Sequence, residues 1–272
     1  MCMFINPYLV KYEGDNMENS VIQTILNHKS IRKYTDEIPS DDMIFTIIRA
    51  GQQAPFASQL YSILLSRNKE HNPYGAPLLF TICVDSHKLE LIMASRNWEL
   101  VVNDLSILIF GIQDASLMAE NMVIAGRSLG LGSCFIGSAP YRAQKISKEY
   151  DLPKRVFPIV QLAMGYPAED PPTRPRYPLK FTLFEDKYPK LTQEMILKAK
   201  QDMDDGHLAQ DYYRKLNAKI PLIDDREETH TYDTYSWTEH ISRRYGQTRG
   251  EGNALLEQLH KSGFHIIKLP II

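Results

Sequence analysis

The chain has 272 residues, enough to bury a substantial core as one large domain with an appended segment. Its 31 basic and 33 acidic residues nearly cancel, so no overall field favours nucleic acid or an anionic membrane, and any recognition of phosphate has to be local. The longest apolar run, around 105–112, falls far short of a bilayer span, and no basic region followed by a long apolar stretch opens the chain. Cys2, Cys83 and Cys134 are too few and too scattered for a disulfide framework or a zinc ribbon. A soluble, cytoplasmic protein with reduced thiols is expected.

Residues 1–18 match no recognisable element and form a candidate flexible N-terminal extension. Val21, Ile22, Ile25 and Leu26 make the apolar stripe of a helix that ends at His28. The next residues, H-K-S-I-R at 28–32, read as extended: period-two alternation points His28, Ser30 and Arg32 to one side while Ile31 turns to the core. Pro39, Ser40, Asp41 and Asp42 open a helix with acids at the positive end of its dipole, and this helix presents Ile44, Phe45, Ile47 and Ile48. Residues 61–65 and 78–84 are short apolar runs suited to buried strands, separated by the loop R-N-K-E-H-N-P-Y-G.

Leu105, Leu108, Ile109, Ile112, Ala115, Ala119, Met122 and Val123 recur at intervals of three and four, so 103–129 reads as one long central helix. Gly130 stops it, and S-C-F-I is then a strand ending at Gly137. Another strand is expected at 159–164, and the five prolines between 165 and 178 favour an extended strap. Helices are expected near 192–203, 207–216 and 254–261. Tyr212, Tyr213, Tyr232, Tyr235, Trp237 and Tyr245 are too many large rings for a disordered tail. They either cap the chain's own domain or form an arm across a partner subunit, where aromatics are enriched; the residues alone leave both open.

Two stretches suit an anion. In the strap, Arg174, Pro175 and Arg176 offer two guanidinium forks from a backbone that proline keeps out of helices and central strands. Together with H-K-S-I-R they form a candidate phosphate grip, although each half alone also reads as a solvated pair or a helix-end cap. G-L-G-S-C-F-I-G at 130–137 is not a dinucleotide fingerprint, because here the helix precedes the glycines and the strand follows. Gly137 can instead let backbone approach a flat ligand, or simply bend the chain. No G-x-S-x-G elbow and no H-E-x-x-H spacing occur, so neither a catalytic triad nor a metal site is expected. Cys134, in an apolar strand without an adjacent His or Lys, reads as a structural thiol.

The blocks H-K-S-I-R-K-Y-T-D-E, S-L-G-L-G-S-C-F-I-G, G-Y-P-A-E-D-P-P-T-R-P-R-Y-P and W-T-E-H-I-S-R-R follow one another between about 21 and 264. In that order they resemble the FMN-dependent, oxygen-insensitive nitroreductases, especially the larger NADPH-dependent branch. The resemblance implies an α+β fold, a central mixed β-sheet wrapped by helices in an intertwined homodimer with FMN at the interface. It implies a core at 19–186 and a C-terminal helical, aromatic arm at 187–272 lying on the partner. His28, Ser30 and Arg32 would line the phosphate and ribityl end of FMN, with Arg174 and Arg176 completing the clamp. Phe135, Ile136, Gly137 and Ser138 would lie along the isoalloxazine, with backbone near Gly137 at its N5 edge.

Two departures matter. Where the branch has a serine run against the flavin ring, this chain has G-Q-Q-A-P, leaving Gln53 and Pro55 as positional candidates. The insert before the 78–84 strand is shortened, so that Asn72 or His71 stands in for a pyrimidine-edge contact, or the loop is merely polar. The implied reaction is ping-pong: hydride passes from NADPH or NADH to FMN N5 and on to a nitroaromatic, quinone or free flavin. Arg214, Lys215, Arg243 and Arg244 are candidate contacts to the extra phosphate of NADPH, against plain solvation. A non-catalytic flavin sensor or storage protein is the alternative reading. A nucleic-acid binder, suggested by R-P-R-Y-P-L-K and R-R-Y-G-Q-T-R, is opposed by the near-neutral charge.

Overall fold

The computed structural model describes residues 19–223, 226–247 and 251–266; the expected N-terminal extension, with Cys2, lies outside them. The described chain divides into two compact units, one built from Asn19–Pro171 with the C-terminal helix, the other from the stretch that begins at Pro172 and runs to 247.

In the first unit, α1 (Ser20–Leu26) is capped by Asn19, whose side-chain oxygen accepts from the backbone N–H of Val21 and Ile22 at 3.0 and 2.9 Å. Ser40 caps α2 (Asp41–Gln52) in the same way through Met43 N–H at 3.3 Å. Ile44 and Ile47 of α2 are fully buried, whereas Phe45 points outward, one residue of helical rotation off the buried stripe. Strands β1 (Tyr61–Ser66), β2 (Leu78–Asp85), β3 (Gly132–Ile136) and β4 (Val156–Gly165) form a sheet in the order β1-β2-β4-β3, each neighbouring pair antiparallel. The α+β expectation therefore holds. Among the described residues, the parallel part of the expected mixed sheet reduces to the isolated bridge between Ser30 and Ser133.

One face of the sheet, with Leu78, Phe80, Ile82, Leu162 and Met164, packs with Met118, Ala119 and Met122 into the main core. Each large apolar side chain fully buried there contributes roughly 1.5–3 kcal/mol. These methionines belong to a long helix, α4 in chain order (Asp104–Ser128), which follows the short α3 (His87–Ala94). Asn103 caps α4 through Ser106 N–H at 2.9 Å. It stops at Gly130, where φ is +85° and Leu131 N–H returns to Gly126 O at 2.9 Å, a turn that a side chain would strain. Among the described residues α4 alone is long and apolar enough to cross a membrane, but half of that stretch is buried in the core. Its outer side leaves Leu105, Ile109, Phe110, Ile112 and Leu117 exposed. Helix α3 buries none of its residues, so no stripe announces it in the sequence. α5 (Ala143–Glu149) and the C-terminal helix, which packs beside it, complete the unit, and Phe264 meets Phe157 edge-on at 6.3 Å.

In the second unit, residues 172–178 are without regular structure, as their prolines require. Then α6 (Gln193–Ala209) runs unbroken where the sequence predicts two helices, near 192–203 and 207–216. The polar D-M-D-D-G-H stretch looks like a break, yet Gly206 and His207 are buried, and that burial outweighs the poor helix propensity of glycine. α7 (Tyr212–Lys215) is a single turn after Asp211, and α8 (Trp237–Gly246) follows, ahead of the C-terminal helix α9 (Glu251–Lys261) of the first unit. Tyr213 stacks on His240 at 4.6 Å and meets Tyr235 edge-on at 5.4 Å, while His207 lies against both Tyr213 and Trp237. Tyr245 is excluded from this cluster at 80% exposure.

Candidate functional site

The H-K-S-I-R segment is held beside β3. Ile31 N–H donates to Ser133 O at 2.8 Å, Thr35 N–H to Tyr166 O at 2.9 Å, and Ala168 N–H to Lys33 O at 2.9 Å. Ile31 is 3% exposed, as the alternation requires, while His28, Ser30 and Arg32 are half-buried. A Cβ on Gly132 would come within 2.5 Å of the Ile31 side chain, so the absence of one is what lets the segment lie this close to the strand. The Arg32 guanidinium sits 6.0 Å from the ring centre of Tyr74.

Two acidic residues overlooked in the sequence fasten this segment. Glu169 Oε1 accepts from the backbone N–H groups of Arg32 at 2.5 Å and Lys33 at 3.1 Å. Lys29 pairs with Asp170. The signal available was the A-E-D acidic pair placed just ahead of the basic R-P-R.

At the end of β3, Phe135 is 37% exposed, Ile136 half-buried, and Gly137 and Ser138 exposed. The space over Gly137 is open: a Cβ there would meet nothing within 4 Å. A flat group can therefore lie on backbone at this strand end, and the bordering segment supplies an imidazole, a hydroxyl and a guanidinium for an anion. That donor set fits a flavin mononucleotide.

Gln53 and Pro55 are exposed in the turn after α2. A residue absent from the sequence-derived candidates holds that turn. Asp114 of α4 is 2% exposed, and its carboxylate accepts from the N–H groups of Ala57, Ser58 and Leu60 at 2.6, 3.0 and 3.0 Å. Asn72 is turned inward, donating to Ala76 O at 2.9 Å, and so braces its own loop; His71 is exposed. Cys134 is 3% exposed, and burial pushes the Cys83 thiol up to about 12, far from a reactive thiolate.

In the second unit, the Arg174 guanidinium lies over the Tyr212 ring at 3.2 Å, and Arg176 turns back on the carbonyls of Arg174 and Pro175 at 3.4 and 3.2 Å. With Tyr177, His207 and Trp237 they border a cleft of about 400 Å³. Burial, reinforced by the Arg174 charge, lowers the His207 pKa below that of an ordinary imidazole, and its Nδ1 faces Met203 O at 2.8 Å. The cleft thus combines two fixed cations with flat rings. Of the tail charges considered for NADPH, Arg243 is 4% exposed and committed to Glu228, Glu239 and Ile220 O, which makes it structural. Arg214 pairs with Asp233 at 2.5 Å, and Lys215 donates to Gln210 O.

Residues 64–166 match the model of the nitroreductase family. The chain is 31% identical over 186 residues to the FMN reductase (NADPH) of Bacillus subtilis (strain 168), an alignment covering 62% of this chain and 75% of that protein. It is 27% identical over 258 residues to the oxygen-insensitive NADPH nitroreductase of Salmonella typhimurium, covering 89% and 97%. Its fold is similar to that of NfrA2 from B. megaterium, with a TM-score of 0.75 and 29% identity over 92% of this chain and 100% of that one.

Proposed function

The chain belongs to the nitroreductase family, and we propose that it is an FMN-dependent NAD(P)H oxidoreductase acting on nitroaromatic, quinone or free flavin acceptors by ping-pong exchange. The observation that carries this reading is the H-K-S-I-R segment clamped along β3 and leading to the open backbone at Gly137. Bound FMN supplies the two-electron chemistry, hydride in from NADPH or NADH and hydride out to the acceptor. The protein's own residues bind and orient. Arg32, His28 and Ser30 hold the phosphate and ribityl end, and the sequence resemblance adds Arg174 and Arg176 as candidate phosphate ligands. Phe135, Ile136, Gly137 and Ser138 line the ring and keep water from it, and Gln53 and Pro55 are the positional candidates in the turn after α2.

The exposed apolar sides of α1 and α4 support a homodimer, since Val21, Ile25, Leu26, Ile109, Phe110 and Leu117 would otherwise face water. In that dimer the sheet-bearing core carries the flavin, and the arm that begins at 187 lies on the partner as far as 247, while α9 packs beside α5 of its own unit. Cys83 and Cys134, buried as thiols and not joined in a disulfide, suit the cytoplasm.

Purified protein should be yellow, and NADPH added without oxygen should bleach it. Colourless protein that takes up no FMN would overturn the assignment, and a colour that neither NADPH nor NADH bleaches would reduce it to flavin binding. Arg32→Ala and Arg176→Ala should each weaken FMN retention by roughly 10- to 100-fold, the worth of one charge-assisted contact, with far-UV circular dichroism unchanged. Wild-type affinity in both would remove the clamp.

A further inference from the structure

We propose that Glu169 is a positioning residue of the flavin site, one that acts through Arg32; this rests on the reading of Arg32 as a phosphate ligand. Within the sheet-bearing unit the backbone of 31–35 is braced on both sides. Ile31 N–H is held by Ser133 O, Thr35 N–H by Tyr166 O, and the Tyr34 hydroxyl donates to Ile31 O at 2.6 Å. Between these braces, the N–H groups of Arg32 and Lys33 both end on one carboxylate oxygen, that of half-buried Glu169. Asp170, next in the chain, takes Lys29, so the two acids grip the segment at both ends of Ser30–Arg32.

A carboxylate this close to a bound phosphate is electrostatically unfavourable. It is tolerated because of what it does to the backbone. Two consecutive N–H groups are themselves a ready anion site; filled by Glu169, they leave the Arg32 guanidinium as the group that meets the phosphate. Fixing the peptide on either side of Arg32 also removes the backbone freedom that would swing a long side chain away from its target.

Two opposing contributions give Glu169 a signature that a merely structural residue lacks. Glu169→Gln keeps an acceptor oxygen and removes the charge, so it should retain FMN as tightly as the wild type or more tightly. Glu169→Ala removes the acceptor and should raise the FMN dissociation constant about tenfold. In the holoenzyme, release of FMN on dilution is read from flavin fluorescence for both variants, for Arg32→Ala and for the Arg32→Ala/Glu169→Ala pair. Riboflavin, which lacks the phosphate, serves as a control for overall folding.

The expected result is that Glu169→Ala adds less than about twofold once Arg32 is gone, and that riboflavin affinity is unchanged in every variant. A Gln variant as weak as the Ala variant, full additivity in the pair, or a parallel loss of riboflavin binding would each overturn the proposal. If Arg32→Ala weakens FMN binding while Glu169→Ala does not, the positioning role falls and the phosphate reading stands. If Arg32→Ala itself has no effect, it is the phosphate reading that fails.

Discussion

Asp114→Ala should cost roughly 3–4 kcal/mol of stability, because three backbone N–H groups lose one charged acceptor. In a chain of this size that corresponds to a fall of roughly 10 °C in the unfolding midpoint. The argument turns on where those donors can go. Leu60 N–H is buried and finds no water, whereas Ala57 and Ser58 lie in an exposed turn and recover part of the loss from solvent. Asp114→Asn retains one acceptor oxygen and should fall between the two. Since the same turn begins with Gln53 and Pro55, the Ala variant should also bind FMN more loosely. Calorimetry on the wild type and both variants tests this, and an Ala variant melting within a degree of the wild type would refute it.

The second large effect is expected at Arg243. Its guanidinium is closed off from solvent and bonds to Glu228 through two 2.7 Å contacts, to Glu239 at 2.7 Å and to Ile220 O at 2.8 Å, with the Tyr235 ring 4.9 Å away. Arg243→Ala leaves two carboxylates facing each other beside an unfilled space. On the order of 2–3 kcal/mol is expected, less than for a fully buried pair because both glutamates keep some water. Limited proteolysis should then cut within 218–247 at least tenfold faster, a rate that follows the population of the opened arm.

Acid should act on the same region. The hydrogen bonds from Arg243 hold the Glu228 carboxyl well below the usual carboxylate range, so its contribution is complete above about pH 4.3, the unfolded value, and disappears as the pH falls through the folded one. Burial lowers the pKa of His207 and of His240, so the unfolded arm takes up protons first, and stability declines as the pH drops below about 6.5. Proteolysis at pH 5 should be faster than at pH 7.5, and the reverse order would contradict these assignments.

Much of the fold was legible because its largest elements obey simple periodicities. The α4 stripe, its Asn103 start and its Gly130 stop can be read directly, as can the apolar strands. Helix α8 could not, since the residue it buries is Arg243, a charge where a stripe would need an apolar side chain. The alternation around Ile31 was visible, and so were the arginines of the strap. Glu169 and Asp114 escaped notice because they work on backbone N–H groups 137 and 57 residues away, and backbone carries no residue-type signal. Only the folded chain brings such pairs together.

The contact between Ile31 and Gly132 acts as a steric key. The isoleucine fills the volume that even a methyl group at 132 would need, so the gap between segment and strand is set by a bare α-carbon. Redesign of this segment can vary His28, Ser30 and Arg32 one at a time, but Ile31 and Gly132 have to be transplanted as a matched set.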